Sequence, residues 1–192
     1  MSPFGVVLLA AGESRRMGVA KQLLPYRGGT LVEHAARTAM GSGATEVVVV
    51  VGSRAEEVRQ SLQGLELKIV ENPDWQNGMG TSIARGISAL GESIAAAVIA
   101  LADQPRITSE HLQVLAAQAR PVAASLYDGV LGAPCGFARS EFPRLRELTG
   151  DQGARHLLRN GEIPVEAVPF EPGLLDLDTL AAYDSLIREE NP

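Results

Sequence analysis

Short aliphatic runs alternate with stretches of helical periodicity along most of this 192-residue chain. The runs Val6 to Leu9, Glu46 to Val51, Leu65 to Val70, Ala95 to Leu101, Val122 to Leu126 and Val165 to Val168 are each bounded by Gly, Pro or polar residues and read as buried strands. Between the first two, Leu31, Val32, Ala35, Ala36 and Ala39 recur at helical spacing and stop at Gly41 and Gly43. Ile83, Ile87 and Leu90 repeat the pattern, as do Leu112, Leu115 and Ala119. Such alternation predicts an α/β fold with a Rossmann-like, mostly parallel sheet and helices on both faces. Past Gly129 the alternation weakens, and Pro134, Gly136, Pro143, Gly150, Gly153 and Pro164 are expected to break regular structure.

Composition narrows the class. With 45% hydrophobic and 21% charged residues, the chain is long enough for one domain with its own core and needs no covalent staple. Cys135 is the single cysteine, which argues for a reducing compartment and against zinc or iron–sulfur ligation. Phe4 to Ala11 is too short to cross a bilayer and no charged segment precedes it, so a cytoplasmic location is expected, with no membrane partner. A pI near 5.1, with four Phe, three Tyr and one Trp, disfavours a nucleic-acid partner.

The segment Val7 to Pro25 changes the picture most. In a parallel sheet, ligands bind beyond the carboxyl ends of the strands, where Ala10, Ala11 and Gly12 follow the first run. Their small side chains let a base or ribose approach the main chain, and Gly12 and Gly18 can adopt positive φ and turn N–H groups toward an anion. Between Glu13 and Arg27 lie four cations (Arg15, Arg16, Lys21, Arg27) and one acid, a local charge of +3 in a chain of net charge -6. A bare strand and glycine turn would be unremarkable, but this concentration of cations suits a nucleoside triphosphate. Neither G-x-x-x-x-G-K-[ST] nor G-x-G-x-x-G is present, which argues against an ATPase or a dehydrogenase.

Carboxylates supply the second element. Asp103, in Ala102-Asp103-Gln104-Pro105, follows a buried strand at the ligand edge, where it could hold magnesium or simply form a turn ahead of a helix capped by Thr108 or Ser109. Asp176 and Asp178 fall on one side of an extended segment, or else Asp178 or Thr179 caps the final helix. Asn72 to Ser82 reads as a glycine-containing loop entering a helix, with Gly78 and Gly80 permitting close approach and Ser82 able to read a base edge. In Gly150 to Arg155, Asp151 can cap a helix and Arg155 can face an anion or the solvent. His34, His111 and His156 sit singly in helical patterns and are not expected to do chemistry.

Leu9 to Lys21 matches L-A-[AG]-G-x-S-x-R-M-G-x-x-K throughout, so the chain resembles the MobA-like nucleotidyltransferases. A-D-Q-P at Ala102 to Pro105, N-P-x-W-x-x-G-M-x-x-S at Asn72 to Ser82 and G-D-x-G-A-R at Gly150 to Arg155 extend the resemblance. Ala11, where a guanylyl-transferring member carries glycine, is similar to the molybdenum cofactor cytidylyltransferase branch. The resemblance implies one domain, residues 1–192, of the nucleotide-diphospho-sugar transferase type. Residues 1–128 would bind the nucleotide and residues 129–192 would form the acceptor side.

It also implies CTP and magnesium as ligands, a molybdopterin acceptor, and a molybdenum hydroxylase or its maturation factor as partner. Lys21, Arg16 and Asp103 would be catalytic. Leu9, Ala10, Ala11, Gly12, Ser14, Arg15, Gly18, Lys21, Gly78 and Ser82 would bind nucleotide; Arg155, Gly132 and Pro134 the acceptor; Asp103 and Asp178 the metal. Two stretches depart from the family. Gly132-Ala133-Pro134 lacks its polar residue, and Leu180-Ala181-Ala182 replaces Pro-Glu-Asp after the second aspartate pair. The acceptor therefore stays open, with GTP, ATP or a sugar or alcohol phosphate as alternative substrates and a non-catalytic cofactor-delivery module as the more distant reading.

Overall fold

Alternate side chains of the first strand, β1 (Phe4–Ala10), face opposite sides of one sheet and seed two cores. The computed structural model describes residues 2–14, 17–151, 153, 158, 163–174, 177 and 179–190. After β1 come a hairpin of β2 (Pro25–Tyr26) and β3 (Gly29–Thr30), α1 (Leu31–Gly41), β4 (Glu46–Val51), α2 (Ala55–Ser61), β5 (Lys68–Glu71), α3 (Met79–Ala89) and β6 (Ala96–Leu101). There follow α4 (Ser109–Gln118), β7 (Val122–Tyr127), β8 (Val130–Ala138), α5 (Phe142–Arg146), β9 (Val165–Pro169) and α6 (Leu180–Glu190). The main sheet has seven strands in the order β5-β4-β1-β6-β8-β7-β9, and only β8 runs against its neighbours.

Val6, Leu8 and Ala10 pack with α1, α2 and α4 on one face, while Val7 and Leu9 pack with Ile83 and Ile87 of α3 and Phe142 and Leu145 of α5 on the other. Gly86 makes the second contact close: a Cβ there would lie 2.3 Å from Val7 Cγ1. The six expected strands are all present, with β5 starting three residues later than the aliphatic run Leu65 to Val70. Among the described residues, no helix is long and apolar enough to cross a membrane.

Val130–Ala138 overturns the expectation that Pro134 and Gly136 break regular structure. Both lie in a strand that sits inside the sheet, between β6 and β7. The proline is tolerated because the register jumps there: Ala124 faces Cys135 but Ser125 faces Gly132, leaving Ala133 and Pro134 in a bulge. Side chains satisfy the bulge carbonyls, with Gln104 Nε2 and Tyr127 Oη donating to Ala133 O and Ser125 Oγ to Pro134 O. Gly136 is where α4 crosses, since a Cβ would lie 2.3 Å from Leu115 O.

Thr108 caps α4 by accepting from the His111 N–H at 3.2 Å, as expected, whereas Ser109 Oγ donates to Thr38 O. Thr179 caps α6 through the Ala182 N–H.

Candidate nucleotide site

A cavity of about 370 Å³ opens at the carboxyl ends of β1 and β6, within the roughly 300–1,000 Å³ of small-molecule sites. Leu9, Ala10, Ala11 and Gly12 form its floor, and Leu101, Ala102 and Asp103 one side. Adjacent parallel strands deliver these two segments together, and the Ala102 N–H donates to Leu9 O at 3.2 Å.

The loop after β1 folds back over the cavity. Ser14 and Gly18 take positive φ there (58° and 68°), whereas Gly12 does not, so the sharp turning expected at Gly12 falls two residues later. Gln22 holds the loop in place. Its amide is buried, donates to Gly12 O at 3.1 Å and accepts from Ser14 Oγ at 3.4 Å, while the Lys21 N–H donates to Ser14 Oγ. Lys21, Ser14, Gln22 and Met17 all line the cavity. The Lys21 ammonium reaches across it to form an ion pair with the Asp103 carboxylate, 82 positions along the chain.

The opposite wall comes from the start of α3. Asn72 is buried and donates to Thr81 Oγ1 at 2.9 Å and Ser82 Oγ at 3.0 Å, which fixes Ser82 at the cavity edge. Trp75 packs on Gly52, where a Cβ would lie 2.7 Å from its own Cβ, and lines the cavity with Met79. Gly78 and Gly80 do permit a close approach, but to the protein itself: Cβ atoms there would lie 2.2 Å from Gly150 C and 2.8 Å from Thr149 O. That contact, with the Gly80 N–H on Gly150 O at 2.9 Å, brings Asp151 to the cavity.

The structure thus gathers Leu9, Ala10, Ala11, Gly12, Ser14, Lys21, Ser82 and Asp103 around one space. Gly18 and Gly78 lie off its lining, and Gly132 and Pro134 are buried in β8, where Gly132 O accepts from Cys135 Sγ. Arg15, Arg16, Arg155 and Asp178 fall outside the described residues. Asp178 has a described neighbour, Leu177, which is buried and whose N–H donates to Asp103 O at 3.4 Å. The sequence reading missed Gln22, Met17 and Met79 as wall residues. Their signal is weak, because amide and thioether side chains have many uses.

His34 and His111 serve the frame, and His156 falls outside the described residues. His34 Nε2 contacts Pro105 O at 3.0 Å, and burial holds its pKa below the usual range. His111 is buried against Phe170 and Ser125, and burial pushes its pKa down to about 4.

Residues 6–166 match the family model of the MobA-like NTP transferase domain. The chain belongs to the MobA-like NTP transferase family. It is 36% identical to the purine catabolism protein PucB of Bacillus subtilis, covering 97% of this chain and 98% of that one. It is 37% identical to the nicotine blue oxidoreductase of Paenarthrobacter nicotinovorans over 80% of each. Rv0371c of Mycobacterium tuberculosis superposes with a TM-score of 0.86 at 28% identity, over 97% of this chain and 98% of that one, and has also been solved in complex with manganese. This MobA-like protein is a nucleotidyltransferase, and the cavity between β1 and β6 lies where that fold binds its ligands.

Proposed function

We propose that this MobA-like nucleotidyltransferase transfers CMP from CTP to the terminal phosphate of molybdopterin, releasing pyrophosphate and forming molybdopterin cytosine dinucleotide. The observation that carries the reading is the meeting of Lys21 and Asp103 in one cavity floored by Ala10, Ala11 and Gly12. An ammonium for phosphates, a carboxylate for a metal and a small-residue floor for a base are the three parts that nucleotidyl transfer needs.

The acceptor phosphate oxygen attacks the α-phosphorus in line. The new P–O bond forms as the bond to the β-phosphate oxygen breaks, and the electron pair leaves with pyrophosphate. A phosphate is already nucleophilic, so positioning and charge stabilisation carry the catalysis. Lys21 and Arg16 neutralise the β- and γ-phosphates, with Arg15, Ser14 and Gly18 completing the anion loop. Leu9 to Gly12 and Ser82 seat the cytidine, with Gly78 packed on Gly150. Arg155 belongs to the acceptor side, contributed by residues 129–192, whereas Gly132 and Pro134 are buried in β8 and are given no contact with the acceptor.

Magnesium fits the donors present. Asp103 is a hard carboxylate at the cavity wall that already holds a cation, the Lys21 ammonium. Asp178 is the proposed second ligand, on the strength of the D-x-D-T resemblance alone. When bound, the metal neutralises charge on the α-phosphate.

Ala11 favours CTP over GTP. The oxidoreductase activity in the name of the Paenarthrobacter relative is not carried over, because Gly12 and Gly18 do not give a dinucleotide-binding spacing. A molybdenum hydroxylase, or a factor that matures one, is the expected recipient of the product. Incubating the protein with molybdopterin, magnesium and CTP or GTP and identifying the product by mass spectrometry tests the proposal. It requires the cytosine dinucleotide; a guanine dinucleotide or unchanged molybdopterin contradicts it.

A further inference from the structure

Helix α6 ends in a way that its own electrostatics disfavour. Glu189 and Glu190 occupy its last turn, where the carbonyl end of the helix dipole repels carboxylates, and only Arg188 there is basic. Each glutamate finds its cation outside the helix. Glu190 accepts from Arg27 Nε at 3.0 Å and Nη2 at 3.1 Å and from the buried phenol of Tyr26 at 2.5 Å. Glu189 pairs with Arg106. Burial pushes the Glu190 carboxyl up, but the hydrogen bonds from Tyr26 and Arg27 outweigh it and hold the group below its usual range.

The two cations flank the segments that carry the site, Arg27 in the β2–β3 turn and Arg106 in the loop after β6. Arg27 lies six positions beyond Lys21 and Arg106 three beyond Asp103. The same helix touches the first loop again where Tyr183 Oη donates to Pro25 O at 2.6 Å, and the segment before it touches the second through the Leu177 N–H on Asp103 O. A separate apolar cluster of Tyr26, Leu31, Leu177 and Leu186 lies under these ties. A local rule broken with a compensating contact for each residue marks a device with a job beyond folding.

We infer that α6 is a brace between the Lys21 and Asp103 loops, and that Glu189 and Glu190 are positioning residues that fix how far apart the ammonium and the carboxylate stand. Neither glutamate lines the cavity. The inference rests on the proposed roles of Lys21 and Asp103 for its functional consequence, though not for its mechanical one. Arg27, Arg106 and Glu189 are all substantially exposed, so their pairs add little to global stability. Loss of the brace therefore shows locally.

The test compares wild type with Glu189→Gln/Glu190→Gln by hydrogen exchange and by binding of CTP and CMP with magnesium. We expect faster exchange in residues 21–27 and 103–107 with the amides of β4 unchanged, a thermal midpoint within about 2 °C of wild type, and CTP affinity reduced about five- to tenfold while CMP affinity changes less than twofold. The reversed pair Arg106→Glu/Glu189→Arg restores CTP affinity to within about twofold of wild type, whereas Arg106→Glu alone does not. Unchanged exchange in both loops overturns the brace. Equal loss of CTP and CMP overturns the positioning role and leaves a structural one. If wild type binds no triphosphate, the proposed function fails instead, and hydrogen exchange alone decides the brace.

Discussion

Lys21 and Asp103, 82 positions apart in the sequence, form an ion pair across the mouth of the cavity, with side chains 21% and 14% exposed. In this state each neutralises the other. On the proposed reading a triphosphate draws the ammonium away and frees the carboxylate for the metal that accompanies it, so Lys21 would compete with free metal at Asp103. Replacing Lys21 with Ala is expected to raise the affinity of the nucleotide-free protein for manganese about three- to tenfold, roughly 1 kcal/mol or slightly more. The same change weakens CTP binding more than CMP binding. Titration calorimetry measures all three, and manganese affinity that stays constant or falls contradicts the exchange.

Gln22 ties the loop after β1 together from inside. It is only 3% exposed, and its amide ties Gly12 to Ser14 across the anion loop. Gln22→Ala leaves Gly12 O without its side-chain donor and is expected to cost about 1–2 kcal/mol of stability. It should weaken CTP about tenfold, because the loop loses its fold at the proposed phosphate site. Denaturant unfolding and CTP titration, run side by side, separate the two effects.

Gly80 exists for a backbone contact. A methyl group there meets Thr149 O at 2.8 Å, so Gly80→Ala must push residues 149–151 away from α3 and Asp151 from the cavity. The expected destabilisation is about 1–3 kcal/mol, read from the urea midpoint. Gly64→Ala serves as the control, since its φ of 86° adds strain but a Cβ meets nothing within 4 Å.

His111 is expected to weaken the fold in acid. Ser125 Oγ donates its hydrogen to Pro134 O, so His111 Nε2 is the donor to Ser125, and burial keeps the ring neutral near pH 7. Its pKa is depressed by burial from 6.5 to about 4, so between those values the unfolded chain binds the proton and the folded one does not. Stability is full above about pH 6.5 and declines as the pH falls toward 4, by about 2–3 kcal/mol from this group. His111→Gln keeps a donor for Ser125 but does not titrate, so its stability should fall less steeply over that range. Equal pH slopes for the two proteins exclude the assignment.

Much of this architecture is legible in the sequence because one physical signal dominates it. Six aliphatic runs mark six strands of the sheet, with β1, β4, β6 and β7 buried on both faces and β5 and β9 at the edges, and the small residues and cations after β1 mark the candidate anion loop. Asp103 is legible by position, since a residue just past a buried parallel strand has to face the ligand edge. Strand β8 is obscured because Pro134 looks like a breaker until Ser125, Gln104 and Tyr127 are seen to satisfy a bulge. Gly78 and Gly80 are legible as points of close approach, but what approaches them is Thr149 to Asp151, some 70 residues away, and local pattern carries no record of that. The grip of Glu189 and Glu190 on two loops is hidden for the same reason.

The most direct measurement is pyrophosphate release with magnesium and CTP, GTP or ATP, each with and without purified molybdopterin, using Asp103→Asn as the blank. Release is expected with CTP and molybdopterin together, and none from the Asp103→Asn protein. Preferential release with GTP, or magnesium-dependent turnover by Asp103→Asn near the wild-type rate, would contradict the proposed function.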